Sequence, residues 1–249
     1  MNLNFGGATY SKSNLFVDVN FFKSADYDFI EIDLGLPILP NKEFENEFDK
    51  VRKIIPIKIG HLPEVNFKED DLERCKKFIK LLSKKGVGYF VIHLFSLDLS
   101  TKDNFNLKID FLKKLAFFAK RNKSKLLLEN TEEKLSILKK VFSLVPELYF
   151  CLDVGHANLF SKENRSIVFI KSFSNILKHV HMHDNFGGNS EKDDLHLSIG
   201  KGDINFLQIF KELKKINYSE KVTLETHGLV DKTKKESLIK AREILSSIK

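Results

Sequence analysis

In the stretch CLDVGHAN, residues 151–158, a carboxylate and an imidazole stand three positions apart. Asp153 closes a run of strand-forming residues, and His156 follows across a turn that contains Gly155. An acid and a histidine on the turn after a buried strand are metal-ligand types on a rigid base. A lone Asp-x-x-His is more commonly a helix cap, so a metal reading depends on partners elsewhere. Such partners recur. Successive β-like runs end in His61, His93, Glu129, Asp153, His181 or His183, and Glu225. The two-residue pleat sets each ending on the face of the apolar residues before it: Ile57 and Ile59 with His61, Tyr89 and Val91 with His93, Leu127 with Glu129, Cys151 with Asp153. One such ending fits a hydrogen-bonded core residue; six in succession point to a divalent-metal site. His179, His181 and His183 share one parity, so pleating leaves open which of them takes part. A later segment, DDLHLSIGKGDIN at 193–205, adds Asp194 and His196 two residues apart. Its Gly-x-Gly (Gly200, Gly202) reads as a plain turn rather than a phosphate loop.

These residues need a frame that brings distant strand ends together. Alternating or continuous apolar runs predict strands at 2–8, 27–34, 54–61, 88–94, 125–129, 147–153, 178–183 and 221–226. Helical spacing predicts helices at 43–53, 70–85, 105–122, 132–144, 166–177, 204–216 and 237–248. In the 70–85 segment, Leu72, Cys75, Ile79 and Leu82 recur at helical spacing, and Gly86 follows at a C-cap position. Eight strands separated by helices, with no internal linker, predict an α/β fold: a single (β/α)8 barrel over residues 1–249. In such barrels the active site lies at the C-terminal ends of the strands, where the ligand-type residues fall. An open doubly wound sheet is disfavoured because no Gly-rich phosphate fingerprint follows the first strand.

Composition narrows the classes. A chain of 249 residues with 42% hydrophobic content can bury a sizeable core, and 5 Pro and 12 Gly without low-complexity runs argue against long disorder. The net charge of +7 suits a polyanion or a phosphorylated substrate, but the lysines come as scattered doublets on polar helix faces, as solvated surfaces do. The Lys- and Glu-rich surface is compatible with a thermophile. Two cysteines, Cys75 and Cys151, give neither a disulfide framework nor a zinc-thiolate site. No signal-peptide pattern and no membrane-length apolar run occur, so the expected location is cytoplasmic with no membrane partner.

The pattern resembles the xylose isomerase-like barrel superfamily, which takes in sugar isomerases, ketose 3-epimerases, hydroxypyruvate isomerases and endonuclease IV. The likeness runs over almost the whole chain. It is carried by LLLENT (126–131), CLDVGHAN, HVHMHDN (179–185), DLHLSIGKG (194–202) and VTLET (222–226). In epimerase-like members the resemblance implies one ion held by Glu129, Asp153, His181 and Glu225, and the HxHDN pattern selects His181 over His183. Mn²⁺ is the expected ion, with Mg²⁺ or Co²⁺ as substitutes, because an oxygen-rich site with one imidazole suits these better than structural zinc. The implied activity is a metal-dependent sugar isomerase or epimerase. The cation stabilises the enediolate formed on proton abstraction beside a carbonyl. Glu129 and Glu225 act on opposite faces of the carbon as base and acid. His156 and Glu31 are expected to contact substrate oxygens, and His61, His93, Asp194 and His196 to line the substrate site. The partner is a small sugar, and a homo-oligomer is compatible with the reading.

Endonuclease IV-like members supply the alternative. They use nine ligands for three Zn²⁺, and His61, His93, Glu129, Asp153, His156, His181, Asp194, His196 and Glu225 match each one. Under that reading the substrate is nucleic acid, and the basic charge points the same way. Against it, Gly155 and Asn158-Leu159-Phe160 depart from the endonuclease pattern, as does Glu132-Glu133-Lys134 after the LLLENT motif. Asp194-x-His196 in turn departs from ketose 3-epimerases, which carry an Arg there. The motifs as a whole favour the isomerase or epimerase members.

Overall fold

The computed structural model describes residues 2–94, 102–226 and 231–248. Among the described residues, eight strands alternate with eight α-helices: β1 (Asn4–Ala8), α1 (Leu15–Ser24), β2 (Phe29–Asp33), α2 (Lys42–Val51), β3 (Ile57–His61), α3 (Glu69–Ser83), β4 (Tyr89–Ile92), α4 (Lys102–Arg121), β5 (Lys125–Glu129), α5 (Leu135–Leu144), β6 (Tyr149–Asp153), α6 (Ser166–Phe173), β7 (Leu177–Met182), α7 (Phe206–Lys215), β8 (Lys221–Leu224) and α8 (Asp231–Ser246). All strand pairs are parallel, and the order β1 to β8 closes on itself through β1 and β8. The fold is therefore the (β/α)8 barrel that the alternation predicts. No helix among the described residues is long and apolar enough to cross a membrane.

Two layers of side chains fill the barrel interior, and the pleat relates them. Phe29, Ile59, Val91, Leu127 and Cys151 form a buried apolar cluster separate from the main core. Two residues further along the same strands come Glu31, His61, His93, Glu129 and Asp153. Since side chains two apart share a face, the residues that carry the chemistry sit directly above this apolar plug. On β7 and β8 the lower layer turns polar, with His179 and Thr223 under His181 and Glu225. The main core lies outside the barrel wall, between strands and helices. Gly6 and Gly7 allow β1 to sit between these layers: a Cβ on Gly6 would lie 2.3 Å from the Phe29 ring, and one on Gly7 2.1 Å from the Phe22 ring of α1.

Helix α1 has no counterpart in the sequence expectation. Its run LFVDVNFFKS is rich in aromatic and β-branched residues, which lowers helix propensity. Packing decides the outcome instead: Asn14 caps the first turn by accepting from the Val17 N–H, and Leu15, Val19 and Phe22 are buried against the barrel. Several strands are shorter than their apolar runs. β7 ends at Met182 and β8 at Leu224, so His183 and Glu225 stand just beyond the sheet.

Phe150 anchors β6 to the helical layer. Its ring is fully buried and meets Phe142, Phe169 and Phe173 at centroid distances of 5.8, 6.1 and 4.8 Å. Phe150→Ala is expected to cost about 3–5 kcal/mol of unfolding free energy, read as a lowered midpoint in denaturant.

Candidate metal centre

The strand register delivers the central residues to one level. Glu129 pairs with Cys151 across β5 and β6, and Asp153 pairs with His181 across β6 and β7. Glu225 follows β8 directly and donates its N–H to the Met182 carbonyl at 3.1 Å. Ligand atoms of Glu129, Asp153, His181 and Glu225 all lie within 4.8 Å of one another. His181, rather than His183, stands in this group. Further groups among the described residues adjoin it, including His61 and His93 with Glu129, Glu31 with His61, His181 and Glu225, and His156 with His183, Asp194 and His196. All nine residues of the larger expected ligand set thus converge on one rim.

Local hydrogen bonds hold these groups in place. The Asn130 side chain donates to the Asp153 carbonyl and accepts from the Asp153 N–H, each at 2.9 Å, which locks the ends of β5 and β6 together. The Arg165 guanidinium donates to the carbonyls of Glu133, Thr131, His156, Leu159 and Ala157, and so staples the loops after β5 and β6. Asp184 accepts from the backbone N–H groups of Gly200 and Ile204, which draws the DLHLSIGKG segment against the end of β7. Gly202 packs so closely there that a Cβ would lie 2.4 Å from the Asn185 carbonyl oxygen. The Gly-x-Gly therefore serves as a close-packed turn that presents Asp194 and His196.

Glu31 takes a place below the ring. Its carboxylate is 1% exposed and accepts from His181 Nε2 at 3.0 Å, His179 Nε2 at 3.1 Å and the Thr223 hydroxyl at 2.7 Å. This is the arrangement in which a carboxylate orients a histidine whose other nitrogen faces an ion. His181 Nδ1 lies 3.1 Å from Glu129 Oε2 and 3.2 Å from Glu225 Oε1 and hydrogen-bonds to neither. Glu31, expected to touch a substrate oxygen, borders the cavity while its carboxylate accepts from His179, His181 and Thr223. His179 and Thr223 were not among the expected site residues, and His183 had been set aside in favour of His181. For His179 the only signal was the parity it shares with His181 and His183.

Electrostatics sort the carboxylates. Burial pushes Glu225 up to about 7, with Glu129, Glu31 and Asp153 adding to the effect against the pull of His181. Burial also opposes ionisation of Glu129, but His93 and His181 outweigh it and hold that carboxyl well below the usual range. Asp194 is likewise held low against burial, by hydrogen bonds from His156 and His196. The chemistry and geometry fit a divalent cation. Asp153 Oδ2 and His181 Nδ1 are buried with no hydrogen-bond partner, and such atoms are rare unless something else satisfies them. Above the ring opens a cavity of about 530 Å³, bordered by Glu129, His156 and Glu225 and by the exposed Tyr10, Lys12 and Leu36.

The sequence model of the xylose isomerase-like TIM barrel family matches residues 22–247. The chain belongs to this family. Among curated relatives, the uncharacterized protein MJ1311 of Methanocaldococcus jannaschii is 35% identical over 112 residues, which is 44% of this chain and 35% of that protein. The match thus spans about a third of that relative's length. Among solved structures, a D-tagatose 3-epimerase-like protein superposes with a TM-score of 0.82 at 21% identity, covering 98% of each chain. An IolI protein with a bound zinc atom superposes with a TM-score of 0.78 at 18% identity, again over 98% of each chain. At these identities the superpositions establish a shared barrel.

A cation that binds only the folded ring stabilises it by mass action. Adding Mn²⁺ or Zn²⁺ to metal-stripped protein at roughly 100 times the dissociation constant is expected to add about 2.7 kcal/mol of stability, read as a raised calorimetric midpoint that a chelator reverses.

Proposed function

We propose that the protein is a divalent-metal-dependent sugar isomerase or epimerase of the ketose 3-epimerase kind. The observation that carries this reading is the convergence of Glu129 and Glu225, from strands three apart in the closed order, with Asp153 and His181 beneath a sugar-sized cavity. Likeness to a D-tagatose 3-epimerase-like protein supports it. Glu129, Asp153, His181 and Glu225 would hold the ion, Mn²⁺ by the oxygen-rich donor set. When bound, the cation supplies Lewis acidity toward a carbonyl oxygen of the substrate.

The protein groups do the proton work. Glu129, held ionised by its histidine neighbours, takes the proton from the carbon beside the carbonyl, and the C–H electron pair moves toward the carbonyl oxygen. Glu225 delivers one to the opposite face. The roles exchange in the reverse direction. Glu31 and His179 lie under His181 and keep its ring oriented. His61, His93 and His156 border the cavity, where they would meet substrate hydroxyls.

One observation favours a second reading, phosphodiester cleavage at three zinc ions: the groups containing His61 and His93, and His156 with Asp194 and His196, flank the central four. Metal content and product separate the two readings. Three zinc ions per chain together with nicking of DNA at abasic sites would replace the isomerase.

With a ketohexose in D₂O, wild-type protein is expected to place deuterium at the carbon beside the carbonyl. Glu225→Gln is expected to slow that exchange at least ~100-fold, followed by NMR. Full exchange in this variant would refute the two-glutamate mechanism. Metal binding also has a predictable pH dependence. A proton on Glu225 competes with the cation, and that proton is bound below about pH 7 and gone above it. Affinity for Mn²⁺ is therefore expected to weaken by about tenfold per pH unit below this value and to level off above it, measured by calorimetric titration.

A further inference from the structure

We infer that Arg74 and Lys12 form an anion-binding subsite at the exposed edge of the cavity and, resting on the isomerase reading, that the substrate is an acidic ketose, with a phosphoryl or carboxylate group on its carbon chain away from the carbonyl. One part of the cavity wall is made by the carboxylates and imidazoles of the candidate metal centre. Another is made by Tyr10, Lys12, Leu36, Glu64 and Arg74. Lys12 lies in the loop after β1, and Arg74 on α3. Among the described residues these two are the lysine and arginine side chains that line the cavity.

Arg74 carries a charge that the protein holds in place without matching. Its Nη2 donates to the Ile38 carbonyl at 3.0 Å, and the guanidinium carbon lies 5.9 Å from the centre of the Phe78 ring. Nε is buried with no hydrogen-bond partner. Such a nitrogen is uncommon unless something else satisfies it. The carboxylates nearby are engaged elsewhere. Asp71, one turn back on α3, accepts from the backbone N–H groups of Asn66 and Lys68, and Asp33 from those of Ser11 and Gly35. Glu64 stands at the same edge but is exposed, so water and salt screen its repulsion of a bound anion.

The donor types say what the subsite takes. A guanidinium presents a fixed fork of N–H groups that fits two oxygens of one phosphoryl or carboxylate group, and Lys12 adds a second positive charge on a flexible stem. The hydroxyls of a neutral ketose would leave both charges unmatched. The net charge of +7 belongs to the whole chain; Arg74 and Lys12 are the part of it that borders the candidate active site. An anionic end held here would also fix the direction in which the ketose lies, with its carbonyl end toward Glu129 and Glu225.

The test uses the full chain loaded with Mn²⁺. Binding of D-fructose, D-fructose 6-phosphate and D-fructuronate is measured by calorimetric titration. Wild type is expected to bind at least one of the two acidic ketoses more than ~10-fold more tightly than fructose, and the one preferred tells a phosphoryl from a carboxylate subsite. Arg74→Gln is expected to lower that preference at least ~10-fold. Arg74→Lys, which keeps the charge without the fork, is expected to retain part of it, and Lys12→Gln to lower it by a smaller factor. Equal affinity for all three ligands in wild type overturns the subsite. So does a preference that survives Arg74→Gln, the result expected if the anion binds only to the Mn²⁺. Should Arg74→Gln not fold, Arg74→Lys and Lys12→Gln decide, and an unchanged preference in both overturns the subsite. Proton exchange in D₂O separates this from the isomerase reading. An Arg74-dependent preference without exchange in any of the ligands defeats the isomerase reading alone. Exchange as fast with fructose as with either acidic ketose, at equal affinity, defeats only the subsite.

Discussion

Charge confined in a space from which water is largely excluded is the constraint around which this barrel is arranged. Glu31, Glu129, Asp153, Asp194 and Glu225 converge on one rim, and the first three are almost wholly buried. Unpaired buried carboxylates cost several kcal/mol each, so such a cluster persists only if each charge is matched by a cation or a good donor. Histidines provide that match on every side. Where hydrogen-bond geometry fails, as at His181 Nδ1 and Asp153 Oδ2, lone pairs are left facing a common point. A divalent cation satisfies such an arrangement better than protons do, because it takes several lone pairs at once.

The supporting residues follow from this. Asn130 exists in its place to lock two strand ends, and Arg165 to gather five carbonyls that would otherwise let the His156 turn drift. Asp184 recruits a distant loop by accepting from its backbone. None of these three touches the central point, yet each sets the position of a group that does. The layering of the barrel completes the support: an apolar plug below gives the ring a rigid floor, and Glu31 with His179 and Thr223 fills the side where β7 and β8 bring polar residues into that layer.

Functional divergence on this fold rests on how many of the ligand-type residues hold ions and whether each ion keeps an open position. Glu129 and Glu225 of the central four border the cavity, and so do His156, Asp194 and His196 of the neighbouring group. A long list of ligand matches does not by itself dictate polynuclear chemistry.

Much of this was legible in the residue order. Strands with a two-residue period put His61, His93, Glu129 and Asp153 on one face with the apolar residues before them, because the pleat is a local property. The alternation of eight strands with helices specified the barrel, since only closure lets every strand bury both faces. Pleating alone could not decide between His181 and His183, which share one parity; the HxHDN resemblance favoured His181, and the alignment of Asp153 with it where β7 stops puts it in the ring. Nor could it find α1, whose residues favour a strand locally and become helical only through burial against β1. The pairing of Gly155 with His183 lay equally out of reach. Those residues are far apart in the chain, and only the tertiary approach of the β6 turn to the end of β7 makes the missing side chain of one the seat of the other.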